Sequence, residues 1–230
     1  MDPVKEFDLS KSTVREVNHF LHHQLQGNGA ERIEILNPDG GHSIAVGLDA
    51  PVEVHIRGHA GYYAAGMNRQ AQVTLYGNVG CGVAENLMSG TVWVKGSAST
   101  CAGASARGGL LVIEGSAASR CGISLKGGDI VVGGDVGHVS GFMAQAGRML
   151  SCGDAGPGLG DSLFEAVIYV RGTLGGLGAD AQQEPMTEDD VAQVESLLQQ
   201  ADLEYDPRQF KRVASARTLY HWNADVEQEY

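Results

Sequence analysis

From Val73 the chain reads VTLYGNVGCGVAENLMSGT, from Val92 VWVKGSASTCAGASARGGL, from Leu111 LVIEGSAASRCGISLKGGD and from Ile130 IVVGGDVGHVSGFMAQAGR. These blocks follow one another without a gap, and each is nineteen residues long. The fifth residue of every block is glycine. The column extends both ways, as Gly58, Gly77, Gly96, Gly115, Gly134, Gly153 and Gly172. A strict period of this length marks one structural unit stacked on itself. Four residues before each glycine stand Val54, Val73, Val92, Leu111, Ile130, Met149 and Ile168. Two before stand Ile56, Leu75, Val94, Ile113, Val132, Ser151 and Val170. Apolar side chains two apart lie on one face of a strand, and all but Ser151 are apolar.

Beyond the glycine column the repeat turns to small residues. Three after it come Gly61, Gly80, Ser99, Ala118, Gly137, Gly156 and Gly175. Gly103, Gly122, Gly141 and Gly160 form a further column that Ala65 and Ala84 continue backwards. Gly90, Gly109, Gly128 and Gly147 mark a second turn in four consecutive repeats. Each unit reads as a strand, a tight glycine turn needing positive φ, a small-residue stretch and a second turn. Nineteen residues cannot hold a βαβ crossover with two strands, which needs about 30. So much glycine also argues against a helix in every repeat. The pattern predicts an all-β solenoid, a parallel β-helix of about seven nineteen-residue coils some 34 Å long. Ile33 to Asn37 stands in phase with Val52 to Ile56, which predicts a degenerate coil before the first.

The ends of such a stack need covering. Residues 1–32 read as a helical cap, 33–179 as the β-helix, and 180–230 as a C-terminal helix and tail. Thr13 and Glu16 have capping-box spacing ahead of Val14, Val17, Phe20, Leu21 and Leu25, with Gly27 and Gly29 as the stop. Thr187 opens a second helix whose apolar positions are Val191, Val194, Leu197, Leu198 and Leu203. Asp180 to Asp206 holds nine acids and no Lys or Arg, and Arg208, Lys211, Arg212 and Arg217 follow. Phe210, Val213, Leu219, Tyr220 and Trp222 give the last segment enough apolar surface to require a packing partner.

With 230 residues, 43% of them hydrophobic, the chain can bury one sizeable core, and its 6% aromatic content suits a narrow one. A net charge of −12 disfavours nucleic acid and anionic membrane as partners. No apolar run approaches the ~18 residues of a membrane span. The opening MDPVKEFDLS lacks a charged-then-apolar signal pattern. A cytoplasmic chain is expected.

No motif for chemistry stands out. Cys81, Cys101, Cys121 and Cys152 are 20, 20 and 31 residues apart, without the close pairs of zinc or cluster sites. They read as small, buried, reduced side chains. His19 and His23 share a helix face, but neither the intervening Glu of a zinc protease nor a third ligand accompanies them. His55 alternates with the core residues and should point outward. The glycines of GPGLG (156–160) precede a strand, not the helix of a dinucleotide site. Asp135 and Asp154, each following a repeat glycine, imply a solvated edge. No catalytic, cofactor-binding or metal-binding residue is assigned.

The outward column between the two core columns reads His55, Thr74, Trp93, Val112, Val131, Leu150 and Tyr169. Five consecutive large apolar residues, Trp93 to Tyr169, need cover. Either the terminal segments supply it, or the stripe docks another subunit, or each is true at one end.

The glycine pattern, as in GNVGCG (77–82), resembles the GXGXG domain at the C-terminus of the glutamate synthase large subunit over roughly Ile33 to Gly178. GYYAAGM (61–67), VIYVRGTLGGLGAD (167–180) and FKRVASARTLY (210–220) are similar to the stand-alone form of that domain, the middle-sized subunit of N-methylglutamate synthase. The resemblance implies a right-handed β-helix without catalytic residues of its own. It would bridge a class II glutamine amidotransferase-like subunit and a glutamate synthase-like subunit that carries FMN and an iron–sulfur cluster. The implied complex makes N-methylglutamate from glutamate and methylamine, releasing ammonia. The C subunits of formylmethanofuran dehydrogenase and of the formyltransferase/hydrolase complex have similar coils, but the ending from Phe210 fits the glutamate synthase side better. A free-standing carbohydrate-active β-helix would need clustered acids on an outer face, where this chain is apolar.

Overall fold

The computed structural model describes residues 4–25 and 32–216. Gly27 and Gly29, and Arg217, Leu219, Tyr220 and Trp222, lie outside the described residues. Nine parallel strands follow chain order in one sheet. They are β1 (Val4–Asp8), β2 (Arg32–Leu36), β3 (Glu53–Arg57), β4 (Gln72–Leu75), β5 (Thr91–Val94), β6 (Leu110–Ile113), β7 (Lys126–Val132), β8 (Ala146–Ser151) and β9 (Val167–Val170). From β3 onward the register is the sequence period, with Val54 opposite Val73, then Val92, Leu111, Ile130, Met149 and Ile168. A second ladder of single bridges joins Ala60, Val79, Ala98, Ala117, Val136, Ala155 and Leu174. The two inward columns of the strands and this small-residue ladder are buried together in one long core. The fold is an all-β solenoid.

Between the coils, the repeat glycines serve a different purpose from the one the sequence suggests. Of the seven, only Gly58 has a left-handed backbone, at φ +143°. What the others provide is space. A Cβ on Gly77 would sit 2.7 Å from the Gly58 carbonyl oxygen and 2.9 Å from the His59 nitrogen. Left-handed backbone belongs instead to the second-turn column, as at Gly90 with φ +82°, and to the column running from Ala65 to Gly160.

The residue after each glycine explains the crowding. The Asn78 amide donates to His59 Nδ1, and Ser97 N to Asn78 Oδ1, both at 2.9 Å. Ser116 N donates to Ser97 Oγ at 3.2 Å, and Asp135 N to Ser116 Oγ at 3.1 Å. Asp154 N donates to Asp135 Oδ1 at 2.7 Å, and Thr173 N to Asp154 Oδ1 at 2.6 Å. Each of these side chains reaches over the glycine of the next coil to satisfy a turn amide that no strand pairs. A Cβ on Gly153 would accordingly lie 2.1 Å from Asp135 Oδ1. Asp135 and Asp154 thus act as rungs of a ladder, a role hidden by the mixture of residue types.

The first coil departs from the expected phase. Ile33 pairs with Val54, not with Val52, so this coil is two residues longer. A shift of two keeps every side chain on its face, so Ile33 and Ile35 still point inward and are fully buried.

Helix α1 (Val14–His23) closes this end, with the Thr13–Glu16 capping box formed as the sequence predicts. It buries Val17 and Leu21. Asn18 stitches it to the first coil, donating to the Ser43 carbonyl at 2.8 Å and accepting from the Ala45 amide at 2.9 Å. The N-terminal segment is more than a helical cap, however, because β1 extends the sheet beside β2. Its VKEFD sequence lacks the apolar alternation that would reveal a strand.

At the other end β11 (Lys211–Ser215) pairs antiparallel with β9, and β10 (Ala181–Glu184) pairs antiparallel with β11. Val213 enters the solenoid core. Between these strands lies α2 (Glu188–Gln200), capped by Thr187 and Asp190.

Candidate interaction surfaces

The outward column is in register from Glu34 through His55, Thr74, Trp93, Val112, Val131 and Leu150 to Tyr169. Its fate divides at Trp93. Val112, Val131, Leu150 and Tyr169 are fully buried against Val194, Leu197, Leu198 and Ala201 of the α2 segment and against Phe210. The chain covers its own apolar stripe, so these four residues offer no docking face. The helix fits because its apolar positions recur at three- and four-residue spacing and present one side to the flat column.

Asp190 fixes the helix in place. It completes the N-cap with Thr187, accepts from the Tyr169 hydroxyl at 2.7 Å and accepts from Arg212 Nε at 3.1 Å. Arg212 also pairs with Glu184. Burial raises the Asp190 carboxyl, but the bonds from Thr187 and Tyr169 outweigh it, and its pKa ends below the usual value. Burial first, and then Asp190, push the Tyr169 phenol up. Tyr169→Phe removes one donor from a buried carboxylate and is expected to cost about 1–3 kcal/mol in urea denaturation. An unchanged midpoint would show that water replaces the hydroxyl. Nothing in the sequence ties Tyr169, Asp190 and Arg212 together except that Asp190 has capping-box spacing.

Trp93 stays partly open. Its Nε1 donates to Glu114 at 2.9 Å, while Lys95 sits 4.5 Å above the ring and 2.5 Å from the same carboxylate. Towards the N-terminal end the face becomes polar. Glu34 accepts from Arg32 and Arg57, each at 2.7 Å at closest, and the Arg57 guanidinium lies 3.8 Å from the Tyr76 ring centre. His55 points outward as expected but is only 6% exposed. Its Nε2 is 2.6 Å from Glu53, and its Nδ1 is 2.9 Å from the Tyr76 hydroxyl. Tyr76 stacks beside the ring, which is why an outward histidine is nevertheless covered.

The Arg57 hydrogen bond, opposed by burial and helped by Arg32, takes the Glu34 carboxyl from 4.5 to about 2. A carboxyl depressed on folding stabilises the fold above its unfolded value, and that stability is lost as pH falls towards the folded value. The difference in urea midpoint between the native chain and Glu34→Gln should therefore shrink as pH drops from 5 to 2.5. A pH-independent difference would contradict this.

The remaining candidates are scattered. His22 Nε2 donates to the Val46 carbonyl at 2.7 Å, and His19 packs on His23. Cys121 and Cys152 are buried, and burial pushes each thiol up to about 12. Cys81 and Cys101 are partly exposed, contrary to the expectation that all four are interior. Among the described residues no group of three or more His, Cys, Asp or Glu is placed to hold a metal ion. No helix among them is long and apolar enough to cross a membrane. Among the described residues, two surfaces each gather exposed apolar side chains. One has Tyr62, Tyr63 and Met67, with His42 stacked on Tyr62 at 4.5 Å. The other is a groove near the C-terminal end, lined by Lys126, Met143, Ala146, Phe164 and Glu165.

No protein-family model matches the chain. Among curated proteins it is similar to Protein GlxC of Rhizobium meliloti (strain 1021), with 51% identity over 224 residues that cover 97% of this chain and 98% of GlxC. The match runs along almost the whole of both chains. This GXGXG solenoid belongs to the GlxC family.

Proposed function

We propose that the chain is a non-catalytic subunit of a glutamate synthase-like complex, closest to N-methylglutamate synthase. It bridges an amidotransferase-like subunit and a synthase subunit that holds FMN and an iron–sulfur cluster. The observation that carries this reading is the nineteen-residue GXGXG coil, held over seven glycines and built as a rigid stack. The relationship to GlxC supports it, because the match spans nearly all of both chains and so favours a stand-alone coil subunit.

A stack of this kind suits a brace. From β3 onward each coil is hydrogen-bonded to the next along two ladders and along the line of turn side chains, so its surfaces keep fixed separations. Its own helix covers the apolar stripe, which leaves Trp93, the polar face around Arg57 and Tyr76, and the two exposed apolar surfaces as places for partners. The reaction would be the conversion of glutamate and methylamine to N-methylglutamate and ammonia, in the cytoplasm, with the reacting groups bound on the other chains.

Co-expression tests this. The three chains together should form N-methylglutamate from glutamate and methylamine, while leaving this chain out should abolish assembly and turnover. Full activity of the other two chains without it would overturn the bridging role. Turnover by this chain alone would overturn the non-catalytic one.

A further inference from the structure

Cys81 stands four residues after Gly77 and Cys101 five after Gly96, so they occupy adjacent coils one residue out of step. The backbone fixes that register: the Gly82 amide donates to the Thr100 carbonyl at 3.0 Å, and the Tyr63 amide to the Cys81 carbonyl at 2.9 Å. Coils about 4.8 Å apart, offset by one residue whose Cα lies about 3.8 Å along the turn, place the two Cα atoms roughly 6 Å from each other. Disulfides span Cα separations of about 4.4–6.8 Å. Both side chains are partly exposed, and Cys81 is among the neighbours that act on the Cys101 thiol. A third thiol, Cys121, lies buried in the next coil, while Cys152 falls further along the stack.

We propose that Cys81 and Cys101 are a reversible oxidation site that takes low-molecular-weight disulfides and closes into a cross-link between neighbouring coils. The Cys81 thiolate attacks one sulfur of glutathione disulfide, forming a mixed disulfide and releasing one glutathione thiolate. The Cys101 thiolate then attacks the Cys81 sulfur, the Cys81–Cys101 bond forms, and the second glutathione leaves. Two protein thiols are oxidised, one glutathione disulfide is reduced to two glutathiones, and the protein loses two hydrogens. Excess reduced glutathione reverses both steps. Burial, and then the neighbouring Cys81, hold the Cys101 thiol above its ordinary value, which slows the closing step. Because the coil register already sets the two backbones within the reach of a disulfide, the bond needs no rearrangement of the coils.

The test uses the full reduced chain with glutathione disulfide, followed by mass spectrometry. Trypsin cuts after Arg69, Lys95, Arg107, Arg120, Lys126, Arg148 and Arg171, so each cysteine falls in a separate peptide. The folded chain should lose two hydrogen masses and yield the 70–95 peptide linked to the 96–107 peptide. Cys121→Ser should leave this link unchanged, and Cys101→Ser should stop at a mixed disulfide on Cys81. The same chain in urea shows that the oxidant is competent. Overturning results are thiols that stay free in the folded chain while reacting in urea, glutathione adducts without closure, or a link to Cys121.

Discussion

Replacing Gly77 by valine is expected to lower the melting temperature by roughly 6–20 °C. The backbone there is not left-handed, so the conformation itself would tolerate a side chain. The space would not. The three atoms nearest to an added Cβ are the Gly58 oxygen, the Gly58 carbonyl carbon and the His59 nitrogen, at 2.7, 2.8 and 2.9 Å. All three are backbone and cannot rotate away, so the coils must separate, and two ladders and the turn line are disturbed together. Overpacking of this severity costs roughly 3–5 kcal/mol. For a chain of this size each kcal/mol moves the transition by about 2–4 °C. Gly40→Ala is the control. Gly40 has a left-handed φ of +69° and open space around it, so only backbone strain of about 1 kcal/mol applies. Equal effects at the two positions would mean that conformation, not coil contact, sets the need for glycine.

Leu150→Asp is expected to release α2 from the solenoid. Leu150 is fully buried beneath the helix with Val131, Tyr169, Leu197 and Phe210. An unpaired carboxylate there costs about 3–5 kcal/mol if the helix stays down. The less costly outcome is for the helix to lift. Hydrogen exchange should report this as loss of protection across Glu188–Gln200, with the strands up to β5 unaffected. Trp93→Asp, at the open edge of the same column, should leave α2 protected. If Leu150→Asp preserved protection in α2, the stripe would not be the seat of the helix.

The coils were legible because two periods coincide, an alternation of two within each strand and a repeat of nineteen between strands. Where one period fails, so does the reading. The first coil carries two extra residues, and because such a shift preserves the inward face, Ile33 could be aligned with Val52 while pairing with Val54. Strand β1 shows no alternation and exists through backbone pairing with β2. The stripe and the amphipathic run after Thr187 were both visible, and each needed an apolar partner. Hydrophobic burial is non-directional, so the sequence left open whether they covered each other or a different chain. The ladder of His59, Asn78, Ser97, Ser116, Asp135 and Asp154 was invisible for another reason. What repeats there is a hydrogen-bond acceptor at a fixed reach, not a residue type.

The central claim is that this solenoid works as one subunit among several. The most direct measurement is purification of the tagged chain from its native host under mild conditions, with mass spectrometry of the co-purifying chains. The expected result is an amidotransferase-like chain and a yellow, FMN-containing synthase chain in constant ratio with this one. A chain that elutes alone, or with formyl-transfer subunits, would contradict the account.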